Sequence, residues 1–230
     1  MLLGFSTGSL YKTHDALSPE TFDIFRRIGA NAIEIMCHDY ESSAKLALLT
    51  ESDLRGFEYV SLHAPSFESY SESEIVKILE TISEAHKKIG FNVIVLHPFE
   101  TMNWDVFKQY DLPFAIENMD WRKSFGKYVE SLKDIFEKFD APMVLDLNHC
   151  YTNDPSMQLA TDIVQNFAGR IKEIHLSGFE TLHEPLFKTK QQEILNAIPD
   201  KRLPIIIESG LETAQEAQQE FEYVRAFLSK

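Results

Sequence analysis

The chain has 230 residues, with 22 Lys and Arg against 36 Asp and Glu, a formal net charge of -14. Its hydrophobic share of 44% is that of a globular chain long enough for one full core, which excludes a disordered polymer, and the acidic balance argues against gripping nucleic acid over a broad basic face. No apolar run reaches the ~20 residues that span a bilayer; the start "MLLGFSTGS" lacks the basic segment of a signal peptide, and Cys37 and Cys150 alone make no disulfide framework, so a reducing cytoplasm is the expected compartment.

Short runs rich in Val, Ile and Leu alternate with longer stretches at helical spacing. The first apolar run covers 2–6. The amphipathic stretch 18–28 follows, opened by Ser18-Pro19-Glu20 with proline in the first turn and closed by Gly29. The run 32–36 precedes a helical stretch over 41–55. The run 59–63 leads to 71–89, where Ser71 and Glu74 fit a capping box and Gly90 lies just beyond the end. The runs 93–97 and 114–118 lead to helices at 103–110 and 124–138. The run 143–147 leads to 155–168, with Asp154-Pro155 as cap and first-turn proline and Gly169 past the end. The runs 171–175 and 203–208 precede helices at 188–197 and 212–229. Such alternation implies parallel strands with helical crossovers. About eight units predict an α/β fold, a (β/α)8 TIM barrel in a single domain spanning 1–230, with its site at the C-terminal face of the strands. The alternative is an open doubly wound sheet, which usually carries a glycine-rich loop after the first strand; "STGSLYK" lacks the GxGxxG spacing.

The strand ends carry the chemistry. Residues 143–149 read "MVLDLNH", an apolar run that finishes in Asp146 with His149 just beyond. The pattern recurs: His63, His97, Glu117, His175 and Glu208 close other runs, His183 lies in the loop after the seventh, and Glu34 sits inside the second. One such residue alone is usually a hydrogen-bonded core group. Six strands delivering one each to the same mouth is different, because imidazoles and carboxylates crowded there repel or go unsatisfied without a cation. His with carboxylate suits Zn, Mn, Fe or Co more than Ca. His38 and Cys37 border the second strand end and Cys150 adjoins His149; for these a near-surface imidazole and free thiols are the simpler readings.

The segments "SLHAP", "VIVLHP", "FAIENM", "VLDLNH", "IKEIHLS" and "IIIES", in this order along residues 30 to 210, resemble the xylose-isomerase-like barrel superfamily of sugar isomerases, sugar epimerases and endonuclease IV-like apurinic-site endonucleases. The resemblance implies a metal set of Glu117, Asp146, His175 and Glu208. Its endonuclease-like members add positions matched by His63, His97, His149 and His183. Together these imply one to three divalent cations per chain, Mn, Zn, Mg or Co. One position departs: Thr181 stands two residues before His183, where those members carry aspartate.

Two activities follow as expectations. A metal-dependent isomerase or epimerase moves a proton through an enediolate, with Glu117 and Glu208 as base and acid across the reacting carbon, and His149 on a substrate oxygen. A zinc-dependent phosphodiesterase of the endonuclease IV type would use His63 and His97 as well. The loops expected at the mouth hold few cations: Lys12, Arg122, Lys123 and Lys188. Arg122 and Lys123 are the preferred grip for one sugar phosphate, and Trp121 offers an aromatic face to a sugar. Phe67, Tyr40 and Trp104 read more simply as rim packing. The expected partner is a small carbohydrate rather than nucleic acid or a membrane.

Overall fold

The computed structural model describes residues 1–230. Eight parallel strands close into a barrel in chain order: β1 (Leu3–Ser6), β2 (Ala32–Met36), β3 (Tyr59–His63), β4 (Val93–Leu96), β5 (Phe114–Glu117), β6 (Met143–Asp146), β7 (Ile171–Leu176) and β8 (Ile205–Ile207). Closure comes from β1 pairing β8, Leu3 with Ile205 through Phe5 with Ile207, which rules out the open sheet. Around the strands lie α1 (Pro19–Ile28), α2 (Tyr40–Leu46), α3 (Glu72–Ile89), α4 (Trp104–Phe107), α5 (Val129–Lys138), α6 (Leu147–Asn153), α7 (Gln158–Phe167), α8 (Leu186–Thr189), α9 (Gln192–Asn196) and α10 (Ala214–Leu228).

Strand periodicity of two sorts the side chains into two layers. In β4, Ile94 and Leu96 join the sixty-residue core between strands and helices, whereas Val93 and Val95 join a seven-residue cluster with Ala32, Tyr59, Ala115, Val144 and Ile206 inside the barrel. The interior is thus filled by small and branched side chains at its floor, and its upper positions are left to polar groups. No helix is long and apolar enough to cross a membrane.

Helix signals hold where a side chain meets the first turn. Ser18 accepts from the Thr21 amide, Ser71 and Glu74 form the capping box, and Gly29 and Gly90 take φ of 93° and 74°. Helix α4 is shorter than 103–110 and α5 starts at Val129 rather than 124; four further features differ from the sequence reading. The stretch 41–55 is helical only as α2, because the Asp53 carboxylate accepts from the Thr50 amide at 2.8 Å and fixes a local turn instead. Asp154 is the C-cap of α6, and Met157, at φ 60°, is the N-cap of α7, but the Asp154 carboxylate still accepts from the Leu159 amide in the first turn of α7 at 2.9 Å. Gly169 is not left-handed; the turn closes through the Arg170 amide on the Phe167 carbonyl. The stretch 188–197 splits into α8 and α9 at Lys190 (φ 59°), where the Gln191 side chain pairs both ways with the Phe179 backbone at 2.8 Å.

Candidate functional site

Residues 143–149 pass from strand to helix without a loop. Asp146 ends β6 and is also the N-cap of α6, accepting from the His149 amide at 2.7 Å through Oδ1. That leaves Asp146 Oδ2 buried with no hydrogen-bond partner, and burial pushes the carboxyl up to about 7. The short α6, absent from the sequence reading, swings His149 back over the barrel mouth. Asn118, just past β5, stitches this corner together. Its side chain accepts from the Asp146 amide and donates to the Asp146 carbonyl, both at 2.9 Å, and its own carbonyl accepts from His149 Nδ1 at 2.8 Å.

Glu117 is the hub. Oε1 accepts from His175 Nδ1 at 2.7 Å, and Oε2 accepts from His97 Nε2 at 2.5 Å with His63 Nε2 3.5 Å away. Burial opposes ionisation of Glu117, but His175 and His97 hold it well below the usual carboxylate range. Glu208 Oε1 lies 3.5 Å from the same Nδ1, and Glu208 is likewise held low against burial by His175. Donor atoms of Glu117, Asp146, His175 and Glu208 all lie within 4.8 Å of one another, and so do those of His63, His97 and Glu117. The one carboxylate therefore faces two ligand sets with its two oxygens.

The histidines differ in state. Burial works against charge on His63, yet the Glu117 hydrogen bond and the Glu34 charge raise it to about 9. His97 is lowered, chiefly by burial, and burial takes His183 down to about 4. His63 Nδ1 donates to the Ala64 carbonyl at 3.0 Å, which turns Nε2 toward Glu117. His183 meets Ser177 Oγ through Nδ1 at 2.9 Å, and its ring centroid lies 5.6 Å from that of His149. The loop bearing it is closed by reciprocal backbone bonds between Gly178 and Glu184 at 2.7 and 3.1 Å. A Cβ on Gly178 would come 2.4 Å from Thr189 Oγ1, so glycine is needed there.

Thr181 and Glu184 do not complete a ligand set around His149 and His183. The Glu184 carboxylate accepts from the amides of Glu180, Thr181 and Leu182 and from the Thr181 hydroxyl, and Glu180 is exposed. The nearest carboxylate to His149 Nε2 is Asp120 Oδ2 at 3.9 Å, a residue the sequence reading passed over.

The expected cation grip is muted. Arg122 is ion-paired with Asp120, Lys123 with Glu68 at 2.9 Å, Lys12 with Glu212 at 3.5 Å, and Lys188 with Glu216. Arg122 and Lys123 do line the central cavity of about 450 Å³ with His63, His97, Glu117 and His149. Lys12 and Lys188 line a neighbouring one of about 420 Å³ that shares Met36, His38, His183 and Glu208 with the first. Trp121 is 54% exposed and lines neither. Phe67 and Trp104 are core, against Phe107 and stacked on Phe139 respectively, and Tyr40 is exposed. Cys150 is buried beside Asn118, and burial raises both Cys150 and Cys37.

Two buried acids lie deeper. Glu34 on β2 and Glu173 on β7 both approach His175 Nε2, at 3.1 and 2.8 Å. Glu34 was noted in the sequence only as lying within a strand; Glu173 escaped notice, although it stands two residues before His175 and so shares its face.

No family model matches the chain, and no curated protein matches it in sequence. Solved structures do match in shape. Endonuclease IV from Thermus thermophilus superposes with a TM-score of 0.70 at 16% identity, over 100% of this chain and 99% of that one. A xylose isomerase domain containing protein from Salmonella typhimurium gives 0.65 at 15%, over 100% and 97%. D-allulose 3-epimerase from Methylomonas sp. gives 0.67 at 13%, over 99% and 98%. At such identities the likeness is one of fold. The closed barrel and its strand order make this chain a (β/α)8 barrel, and these superpositions show that it shares that fold with the three proteins.

Proposed function

We propose that the protein is a divalent-metal-dependent isomerase or epimerase of a sugar or sugar phosphate. The observation that carries this reading is the approach of two carboxylates, the buried Glu117 and the largely buried Glu208, to the same His175 Nδ1 at 2.7 and 3.5 Å, with the unpartnered Asp146 Oδ2 in the same ligand set. The donor set fits a cation: three carboxylates and one imidazole nitrogen, all buried or nearly so, with one oxygen lacking any hydrogen bond. Glu117, Asp146, His175 and Glu208 would hold it. When bound, the metal supplies the positive charge that an enediolate needs.

The chain's own groups do the rest. Glu117 and Glu208 are both held in the ionised state, so either can take the proton from the carbon beside the carbonyl; the other face is served by its counterpart. His149 is fixed by its Nδ1 bond to Asn118 and presents Nε2 toward the cavity, where it can bind a substrate oxygen. The two adjoining cavities give room for a small carbohydrate. With each nearby cation already paired to an acid, an uncharged sugar fits better than a phosphorylated one.

A second reading has its own observation. His63 Nε2, His97 Nε2 and Glu117 Oε2 converge as a separate ligand set, and two cations sharing a carboxylate would suit a zinc-dependent phosphodiester hydrolase of the endonuclease IV type. The paired cations at the mouth and the charge of -14 weigh against a DNA substrate, which needs several free phosphate contacts.

Metal content per chain, measured by elemental analysis on untagged protein purified without chelator, separates the two. About one Mn, Mg or Co per chain, with turnover of aldoses or ketoses that Glu117→Gln and Glu208→Gln abolish, supports the isomerase. Two or three Zn per chain, with cleavage of abasic-site DNA, supports the hydrolase. Full activity in both glutamine variants would remove either carboxylate from the chemistry.

A further inference from the structure

We infer that Glu34 and Glu173 form a paired carboxylate brace beneath the metal set, acting on His175 through its inner nitrogen. This rests on the metal reading above.

The argument starts from register. Glu34 aligns with Ser6 of β1 and Ser61 of β3, and Glu173 aligns with Val144 of β6, so both acids point inward one layer below the mouth. Both are fully buried. His175 Nε2 donates to Glu173 Oε1 at 2.8 Å, and Glu34 Oε2 lies 3.1 Å from the same nitrogen. Neither oxygen of Glu34 has a hydrogen-bond partner, nor does Glu173 Oε2, and the nearby hydroxyls of Tyr59, Ser61 and Ser6 are unpartnered too.

A fold that wanted only a packed interior would place apolar side chains here, as it does at Val93, Val95 and Val144. Burying a carboxylate costs several kcal/mol, and burying two side by side costs more, since like charges repel. The polar group that faces both is His175 Nε2–H, which bonds Glu173 at 2.8 Å and stands 3.1 Å from Glu34. Without metal both ring nitrogens can donate, Nδ1 to Glu117 and Nε2 to Glu173; where a cation takes the place of the Nδ1 proton, the carboxylate behind the ring would hold the remaining proton on Nε2 and leave the Nδ1 lone pair for the cation. Negative charge behind the ring also makes Nδ1 a better donor to a cation, the usual work of a carboxylate behind a metal-binding imidazole. Here two carboxylates back one ring. Glu34 and Glu173 touch neither the cavity nor any reacting atom, so they are positioning residues.

The test is zinc affinity by competition with a chromophoric chelator on Glu173→Gln, Glu34→Gln and wild type, alongside melting of the metal-free proteins. Glutamine keeps the volume and removes the charge. Each variant is expected to bind zinc about 10- to 100-fold more weakly, with a metal-free melting temperature equal to or above wild type, because repulsion is relieved. A merely structural pair would lower melting temperature and leave the affinity of the folded fraction unchanged, and that result overturns the inference. Wild type that binds no zinc overturns the metal reading and this one with it, whereas equal affinity in all three overturns this one alone. A measurement on wild type covers a variant that does not fold. In zinc-loaded, 15N-histidine-labelled protein, assigned through His175→Gln, His175 is expected to carry its proton on Nε2. A proton on Nδ1 overturns the brace.

Discussion

The two halves of the barrel mouth solve the same problem differently. On the β5–β8 side, Glu117, Asp146, His175 and Glu208 bring donor atoms of mixed charge within 4.8 Å of one another and would make a complete ligand set, with Glu34 and Glu173 behind His175. On the β3–β4 side, His63 and His97 bring only imidazoles and must borrow Oε2 of Glu117. Beyond them, His149 and His183 stand without a carboxylate from their own loop. In the proposed reading the first half would hold a cation by itself, and the others would depend on it. Charge teaches why: imidazoles alone cannot neutralise a divalent cation in a buried place, so each further site is only as good as the carboxylate it can share.

The largest effect should come from the shared residue. Glu117→Gln is expected to lower kcat/KM at least ~10³-fold, about 4 kcal/mol of lost transition-state stabilisation, and to remove metal from both halves. Elemental analysis and steady-state kinetics on the same sample check this. Retention of one tightly bound metal with normal turnover would show that the halves are independent.

His97→Asn comes next and divides the mechanisms. If the β5–β8 half does the chemistry, turnover falls by less than about tenfold; a two-metal hydrolase would lose on the order of 10³. Kinetics together with metal count distinguishes an occupied second set from a pair of histidines that merely line the cavity.

A smaller effect lies in pH. Burial raises Glu34 and Asp146 to about 7, and the neighbouring acids raise His63 to about 9 against its burial. For the carboxyls, the protonated form favours the fold, so their help is complete below the ordinary carboxylate range and lost as pH rises through about 7. For His63, help is complete below its ordinary 6.5 and lost as pH rises through about 9. His183, lowered to about 4 by burial, acts the other way only below 6.5. Metal-free protein should therefore melt at falling temperature between pH 6.5 and 9. Saturating zinc should flatten or reverse that slope, because metal takes the place of protons. Parallel slopes with and without zinc would mean that Asp146 and His63 are not its ligands.

The same asymmetry governed what could be read from the chain. The barrel was legible because every strand is a short apolar run and its alternation survives in the fold, as at Ile94 and Leu96 outside and Val93 and Val95 inside. The strand-end histidines and carboxylates were legible because chemistry-bearing residues at one topological position repeat. Helix α6 was hidden because it starts on a strand residue, with no loop to announce it. Glu173 was hidden by its neighbours: Lys172 is exposed, and an acid between Lys and Ile looks like surface. Asp120 carries no pattern at all, since a loop conformation alone brings it to His149.

The smallest expected effect concerns the rim. Arg122→Ala and Lys123→Ala remove cations that the sequence marked for a phosphate, but each is already tied to an acid, Asp120 and Glu68. The Lys123–Glu68 pair is exposed and worth at most about 1 kcal/mol, so Lys123→Ala should barely move stability, whereas Arg122→Ala strips the buried Asp120 carboxylate of its cation and should cost more. For an uncharged sugar, KM should rise less than about threefold, since one such pair is worth under one tenfold step. A phosphorylated substrate would answer differently: its phosphate would compete with Asp120 and Glu68 for the same side chains, and KM would rise tenfold or more in the double variant with kcat little changed. Comparing KM for a sugar and its phosphate ester in that variant therefore decides whether the rim recognises charge, or whether recognition rests on the metal set and the neutral groups around it.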